Sequence, residues 1–404
     1  MTDSPHATHQ HLHAGHLSNT AHQWWMRPRL RSDEDEGRER KTSWLELFYD
    51  LVFVVIIAQV SHGLAEHPDV DGVATLVLLL LPAWWLWVGG TFYTERFESE
   101  DLSHRLATFL QIFPLVLLAA LAHDGLGRSA AYAVTYAVGR LLIVFLWLRA
   151  GIHDRRAGPL TRRYATGFTA SAAIFLASAA VDAPLRYQLW VVALTIDVLT
   201  PLFTAQQQRG LPRYSTGRLP ERFGLFIIIV LGENVTSVVS GVADAGLARP
   251  ALVAGTLGML VTFASWWLYF DIVQLRPARN GPLFGFARSY LHFPLVLSLT
   301  ATAASVLALM AHDAADAHVR WLLAGSVALM FVSLALLQHV LVQAGPHSAE
   351  RPLRHLTWAM AAAALAVGAF GEGWGALRLL SALFALHLIL IVYGSVQWAR
   401  GRLS

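Results

Sequence analysis

The chain has 404 residues, 55% of them hydrophobic and 14% charged, with 14 Trp, no Cys and a formal net charge of +3. Together with a mean hydropathy of +0.48, this excludes a water-soluble globule, where charged residues approach a quarter of the chain. Zero cysteines exclude disulfides, thiolate metal sites and cysteine nucleophiles.

Residues 1–43 are polar, with six His between His6 and His22 and a mixed-charge run from Arg27 to Lys41. They read as a disordered, His-rich cytoplasmic tail without a secretory signal peptide. The spacing of His9, His11 and His13 offers imidazoles to a divalent cation, but no Cys or carboxylate framework completes a closed site, so no metal is expected. From Trp44 onward come twelve apolar stretches, and each is matched to the requirement of about 20 apolar residues for a helix crossing a bilayer. Their cores fall at 47–64, 73–93, 106–123, 130–149, 165–181 and 187–204, then at 223–242, 251–273, 289–310, 320–341, 356–370 and 376–398. The expected fold is therefore all-α, a polytopic transmembrane bundle of about twelve helices.

Basic residues orient it. Of the 30 Lys and Arg, 24 lie in the tails and even-numbered loops, five (Arg128, Arg186, Arg249, Arg320, Arg378) lie in the opposite loops, and Arg140 lies inside a helix. Lys and Arg in short loops are retained in the cytoplasm, so both termini are expected there. The basic balance is thus a topology signal, and no basic stripe with stacking aromatics points to nucleic acid. An internal duplication accompanies this pattern: WWLWV at Trp84 and WWLYF at Trp266, FPLVL at Phe113 and at Phe293, ELF at Glu46 and ERF at Glu221. Nearly constant offsets predict two parallel six-helix halves, 44–206 and 221–399, joined by a basic cytoplasmic linker at 207–220.

The stretch WLELFYDLVF from Trp44 to Phe53, followed by Gln59, Ser61 and His62, resembles the opening signature of the bacterial low temperature requirement A family. So do ERFGLFIIIVLGE from Glu221 to Glu233 and WWLYFD from Trp266 to Asp271. The resemblance spans nearly the whole membrane portion and implies a multi-pass membrane protein linked by name to growth in the cold. It carries no biochemical activity, and the His-rich tail is not part of the pattern.

Chemistry is sought among ionisable groups at membrane depth, where a charge costs about 2.5–3.5 kcal/mol on insertion scales and usually marks a pathway or a pair. Arg140, Asp197 and Glu233 stand near the centres of their helices. Two acids against one base imply that Arg140 pairs with one carboxylate while the other takes up a proton; the alternative is a structural pair that only holds helices in register. Ser237 follows Glu233 at i+4, with Thr236 and Ser240 nearby, as a polar strip or as packing residues. Asp50 lies one turn deeper than Glu46 on the first helix. Glu46, Glu221, Asp271 and His292 form an expected cytoplasmic-side polar cluster, against the simpler role of helix-starting acids for Glu46 and Glu221. Pro114 and Pro294 occupy matching places and predict paired kinks. Trp84, Trp85, Trp266 and Trp267 are expected to pack between the halves.

No phosphate loop, HExxH helix or GxSxG elbow is present. The first expectation is a secondary transporter coupled to protons or cations, with Asp50, Arg140, Asp197, Glu233 and Ser237 around the path. The alternatives are a non-transporting membrane organiser in cold adaptation and, more remotely, a membrane-embedded enzyme. The expected partners are the bilayer and a small solute or ion, with no cofactor.

Overall fold

The computed structural model describes residues 28–30, 43–98, 102–208, 210–212, 218–274, 276–279, 281–311, 316–342 and 347–400. The first six long helices are α1 (Trp44–Glu66), α2 (Val70–Arg96), α3 (Leu102–Ala122), α4 (Ser129–His153), α5 (Gly158–Ser178) and α6 (Leu185–Phe203). A short α7 (Ala205–Gln208) precedes α8 (Arg218–Asp244), α9 (Arg249–Tyr269), α10 (Pro282–Ala311), α11 (Ala317–Val340), α12 (His347–Phe370) and α13 (Ala376–Ala399). The last turn of α9 widens into a π-helical segment, Phe270–Gln274. Among the described residues, eleven helices are long and apolar enough to cross a membrane. The twelfth long helix, α5, falls short because Arg162 and Arg163 sit in its first two turns, yet it packs between α4 and α6 within the bundle.

Local chemistry explains several boundaries. Ser43 caps α1 in a reciprocal box with Glu46, the Glu46 N–H donating to Ser43 Oγ (3.3 Å) and the Ser43 N–H to Glu46 Oε2 (2.9 Å). Asp69 caps α2 by accepting from the Gly72 N–H at 2.8 Å. Inside the spans, Thr135, Thr200, Thr262 and Ser265 donate to the carbonyls one turn back, which satisfies hydroxyls that hydrocarbon cannot.

The two series of helices use similar neighbours. In the first, α1 packs on α2 and α3, α3 on α4, α4 on α5 and α5 on α6; in the second, α8 packs on α9 and α10, α10 on α11, α11 on α12 and α12 on α13. Across the middle the pattern is unequal. Helix α10 packs against α1 and α2, whereas α3, which carries the other FPLVL copy, makes no comparable contact with α8 or α9 among the described residues. The repeated motifs consequently meet different surroundings. Trp84 and Trp85 are buried, but Trp266 and Trp267 are 44% and 45% exposed, which corrects the expectation that all four pack between the halves: α9 turns this face outward. Likewise Phe113 lies on the outer stripe of α3, while Phe293 touches the Trp84 ring at 6.2 Å.

Two further expectations change at the edges. Residues Arg29–Leu30 form a strand (β1) that pairs antiparallel with Phe97–Glu98 (β2) at the end of α2, so this piece of the expected disordered tail is ordered, held by a buried Leu30. The His-rich stretch from His6 to His22 lies outside the described residues. Helix α8 begins at Arg218, inside the expected linker, because its first turns are gripped by α1 and α2.

Candidate functional site

The start of α1 and the start of α8 lie side by side and are laced by charge. Arg218 pairs with Glu46, and Arg222 Nη2 donates to Asp50 Oδ1 at 2.7 Å. Both acids and both bases are spaced i, i+4, so each helix presents one charge per turn on one face, and two matched rungs are possible only if the helices run parallel. The end of α2 completes the lattice: Arg218 Nε lies 3.3 Å from Glu95 Oε1, Arg222 Nη1 donates to Thr94 Oγ1 (2.9 Å), and Trp87 Nε1 donates to Asp50 Oδ1 (2.7 Å). All five charged side chains are at most 5% exposed. Among the described residues, Asp50 Oδ2 accepts no hydrogen bond. A small cavity beside this lattice is bounded by Tyr49, Gly90, Thr108 and Gln111. A Cβ on Gly90 would sit 3.1 Å from Tyr49 Oη and 3.3 Å from Gln111 Oε1, so the glycine keeps the cavity open.

Above the lattice the chain becomes aromatic. Trp87 packs tilted against Phe226 (4.5 Å between centroids) and edge-on to Phe223 (5.1 Å), Trp84 edge-on to Phe226 (5.1 Å), and Phe53 tilted against Phe226 (5.7 Å). This septum joins α1, α2 and α8, and all five of its rings are buried. His292 lies at its edge, 4.4 Å from Phe223, with Nε2 3.1 Å from Tyr269 Oη and Nδ1 2.7 Å from the Arg288 carbonyl.

Arg140 and Asp197 form a second, separate unit. Arg140 Nε and Nη2 donate to Asp197 Oδ1 at 3.0 and 2.9 Å, Tyr136 Oη donates to Asp197 Oδ2 at 2.5 Å, and Arg140 Nη1 reaches the Trp85 carbonyl at 3.3 Å. The guanidinium lies 3.8 Å from the centre of the Phe168 ring. Both side chains are fully buried. Gly89 permits this approach, since a Cβ there would meet Arg140 Nη1 at 2.8 Å.

Glu233 is the third deep acid, and its surroundings differ. It is 3% exposed and accepts from Ser237 Oγ at 3.1 Å. Asn234 beside it, oriented to satisfy its amide, donates to the Val230 and Leu299 carbonyls. At the same level Ser61 Oγ donates to the Thr300 carbonyl at 3.5 Å, and His62 is near enough to act on Glu233 electrostatically. Among the described residues, Glu233 takes part in no ion pair. It stands eleven residues along α8 from Arg222, roughly 16 Å at 1.5 Å per residue. Thr236 faces outward, so the polar strip consists of Glu233, Ser237 and the half-buried Ser240.

The expected cytoplasmic cluster of Glu46, Glu221, Asp271 and His292 does not assemble. Glu46 caps the start of its helix, as the simpler expectation had it, and its carboxylate pairs with Arg218 rather than with the expected cluster. Glu221 is half-buried and turned about 100° from Arg222, because successive helical residues rotate by that amount. Asp271 is exposed and accepts from Trp267 Nε1 at 2.6 Å. Pro114 and Pro294 lie inside α3 and α10, each of which continues as one helix past its proline. Arg218, Arg222, Glu95 and Trp87 were not singled out in the sequence; the i, i+4 spacing of Arg218 and Arg222, matching Glu46 and Asp50, is the signal that marks them.

Comparison with known proteins bears on the whole membrane portion. The sequence model of the family described as "Bacterial low temperature requirement A protein" matches residues 41–394. A protein of Rhizobium meliloti (strain 1021), itself described as uncharacterized, is 28% identical over 283 residues, covering 66% of this chain and 66% of its own length. The similarity thus spans just under two thirds of that relative.

Proposed function

This chain belongs to the bacterial low temperature requirement A family, and from that premise and its buried charges we propose a secondary transporter of the bacterial inner membrane, in which Glu233 couples proton or cation movement to a small solute. The family makes it a multi-pass membrane protein with many apolar helices. One observation carries the finer reading: Asp50 and Asp197 are each bound to an arginine, whereas Glu233 accepts from the Ser237 hydroxyl, has His62 near it, and joins no ion pair among the described residues. A carboxylate lodged deep in a helix without a fixed counter-ion must acquire a mobile one, and a proton or a small cation is such a partner. The two helix series, read as halves, would move about α1 and α8. In that reading the Glu46–Arg218 and Asp50–Arg222 rungs with the aromatic septum close the cytoplasmic end, and Glu233 lies beyond the closure.

Proton and cation flux in proteoliposomes tests it. Wild-type protein should carry flux above protein-free vesicles, and Glu233→Gln should return to that background. Equal, background-level flux from both proteins sinks the coupling. It would leave the second reading, a non-transporting membrane organiser, which is favoured by the mutually satisfied Arg140–Asp197 unit.

A further inference from the structure

A groove between α12 and α13, far from the charge lattice in the chain, has a volume of about 580 Å³ and is open along one side. Clefts that accept small molecules have volumes of roughly 300–1,000 Å³. Its apolar length is built by Leu356 on α12 and by Leu388, Ile389, Val392 and Val396 on α13. From Leu388 to Val396 the strip rises roughly 12 Å, and its α13 residues are exposed on the outer face of the bundle.

At the end of this strip the chemistry changes. Gln397 lines the groove, is only 7% exposed, and its Oε1 accepts no hydrogen bond among the described residues. Buried amide carbonyls nearly always find a donor, so this one marks a place where a donor belongs. One turn further, Arg400 closes the groove as the residue that ends α13. It joins none of the ion pairs among the described residues. An apolar slot that ends in a cation and an unsatisfied acceptor is complementary to a molecule with a hydrocarbon chain, an anion and a hydroxyl.

We propose that this groove binds an anionic phospholipid. One acyl chain lies along Leu388, Ile389, Val392 and Val396, the phosphate meets Arg400, and a headgroup hydroxyl donates to Gln397 Oε1. Basic pockets between helices at the membrane surface take anionic headgroups in this way. A second copy of the chain would cover the apolar strip but would not call for an orphan acceptor beside a cation that joins no ion pair among the described residues.

Full-length protein, purified and delipidated in detergent, can be offered phosphatidylglycerol and phosphatidylcholine of identical acyl chains in competition, with retained lipid read by native mass spectrometry. Wild type should prefer phosphatidylglycerol by about fivefold, the factor for one arginine near an anionic surface. Arg400→Gln should erase that preference. Val392→Trp fills the groove from an exposed position, so the fold is spared, and it should lower retention of both lipids. Equal retention of the two lipids by wild type overturns the proposal, as does a preference that survives both substitutions. A wild-type dimer that Val392→Trp dissociates, without any headgroup preference, overturns it in favour of a second copy.

Discussion

Asp197 and Glu233 both lie deep in their helices and both are buried, yet one is paired with Arg140 and bound by Tyr136 while the other accepts from Ser237, with His62 near it and no ion pair among the described residues. The contrast teaches that depth alone does not mark a working acid. A charge can be tolerated in hydrocarbon because a fixed counter-ion neutralises it, and such a unit holds helices together. Under the proposed coupling, Glu233 would be neutralised only part of the time, and that alternation is what a flux assay reads.

The comparison breaks most readily at the enclosed pair. Arg140→Met leaves Asp197 buried without its counter-ion and should cost about 3–5 kcal/mol in detergent unfolding, whereas Arg140→Met with Asp197→Leu should recover most of the loss. Recovery by the double variant distinguishes a pair that merely holds helices from one whose charge is used. Next comes the lattice between α1 and α8. Arg222→Leu strands Asp50 with Trp87 and should cost about 2–3 kcal/mol, and a double-mutant cycle with Asp50→Leu should give a coupling energy above roughly 1 kcal/mol.

Glu233→Gln sharpens the contrast from the other side. Removing a charge that has no fixed partner should change unfolding stability by less than about 1 kcal/mol, while flux is lost; a large stability loss would place Glu233 with Asp197 instead. Smaller still is Arg128→Ala. Its pair with Asp124 at 2.6 Å is open to solvent, and exposed pairs contribute about 0–1 kcal/mol. The least effect is expected at Asp316, outside the spans, where hydrogen bonds from His318 and from the Ala317 N–H hold the carboxyl below its usual range. A depressed folded value means that its help to the start of α11 is present above the unfolded carboxylate range and is lost as pH falls through the folded value. Amide exchange at residues 317–320 should quicken only in acid.

Helices were legible because hydrocarbon imposes one strong rule on length and polarity, so expected cores such as 73–93 and 376–398 fall within α2 and α13. Arg140 pairing with one carboxylate was legible too, from charge balance among three deep groups. Which carboxylate it chose was not, since α4 and α6 meet through packing that no spacing encodes. Arg218 and Arg222 were read only as part of a basic loop that orients the chain, because a basic residue at a membrane edge serves topology and pairing with the same side chain. Trp266 and Trp267 misled for a related reason: a repeated sequence motif fixes what a segment is made of, while the unequal packing of α3 and α10 decides which copy faces inward.

The matched spacing of the rungs has a mechanical corollary. Shifting α8 along α1 by one turn, about 5.4 Å, would set Arg222 opposite Glu46 and leave Asp50 facing Phe226; any lesser slide would align no cation with an acid. Travel along this seam is therefore notched like a rack, with resting places one helical pitch apart and nothing to hold the helix between them.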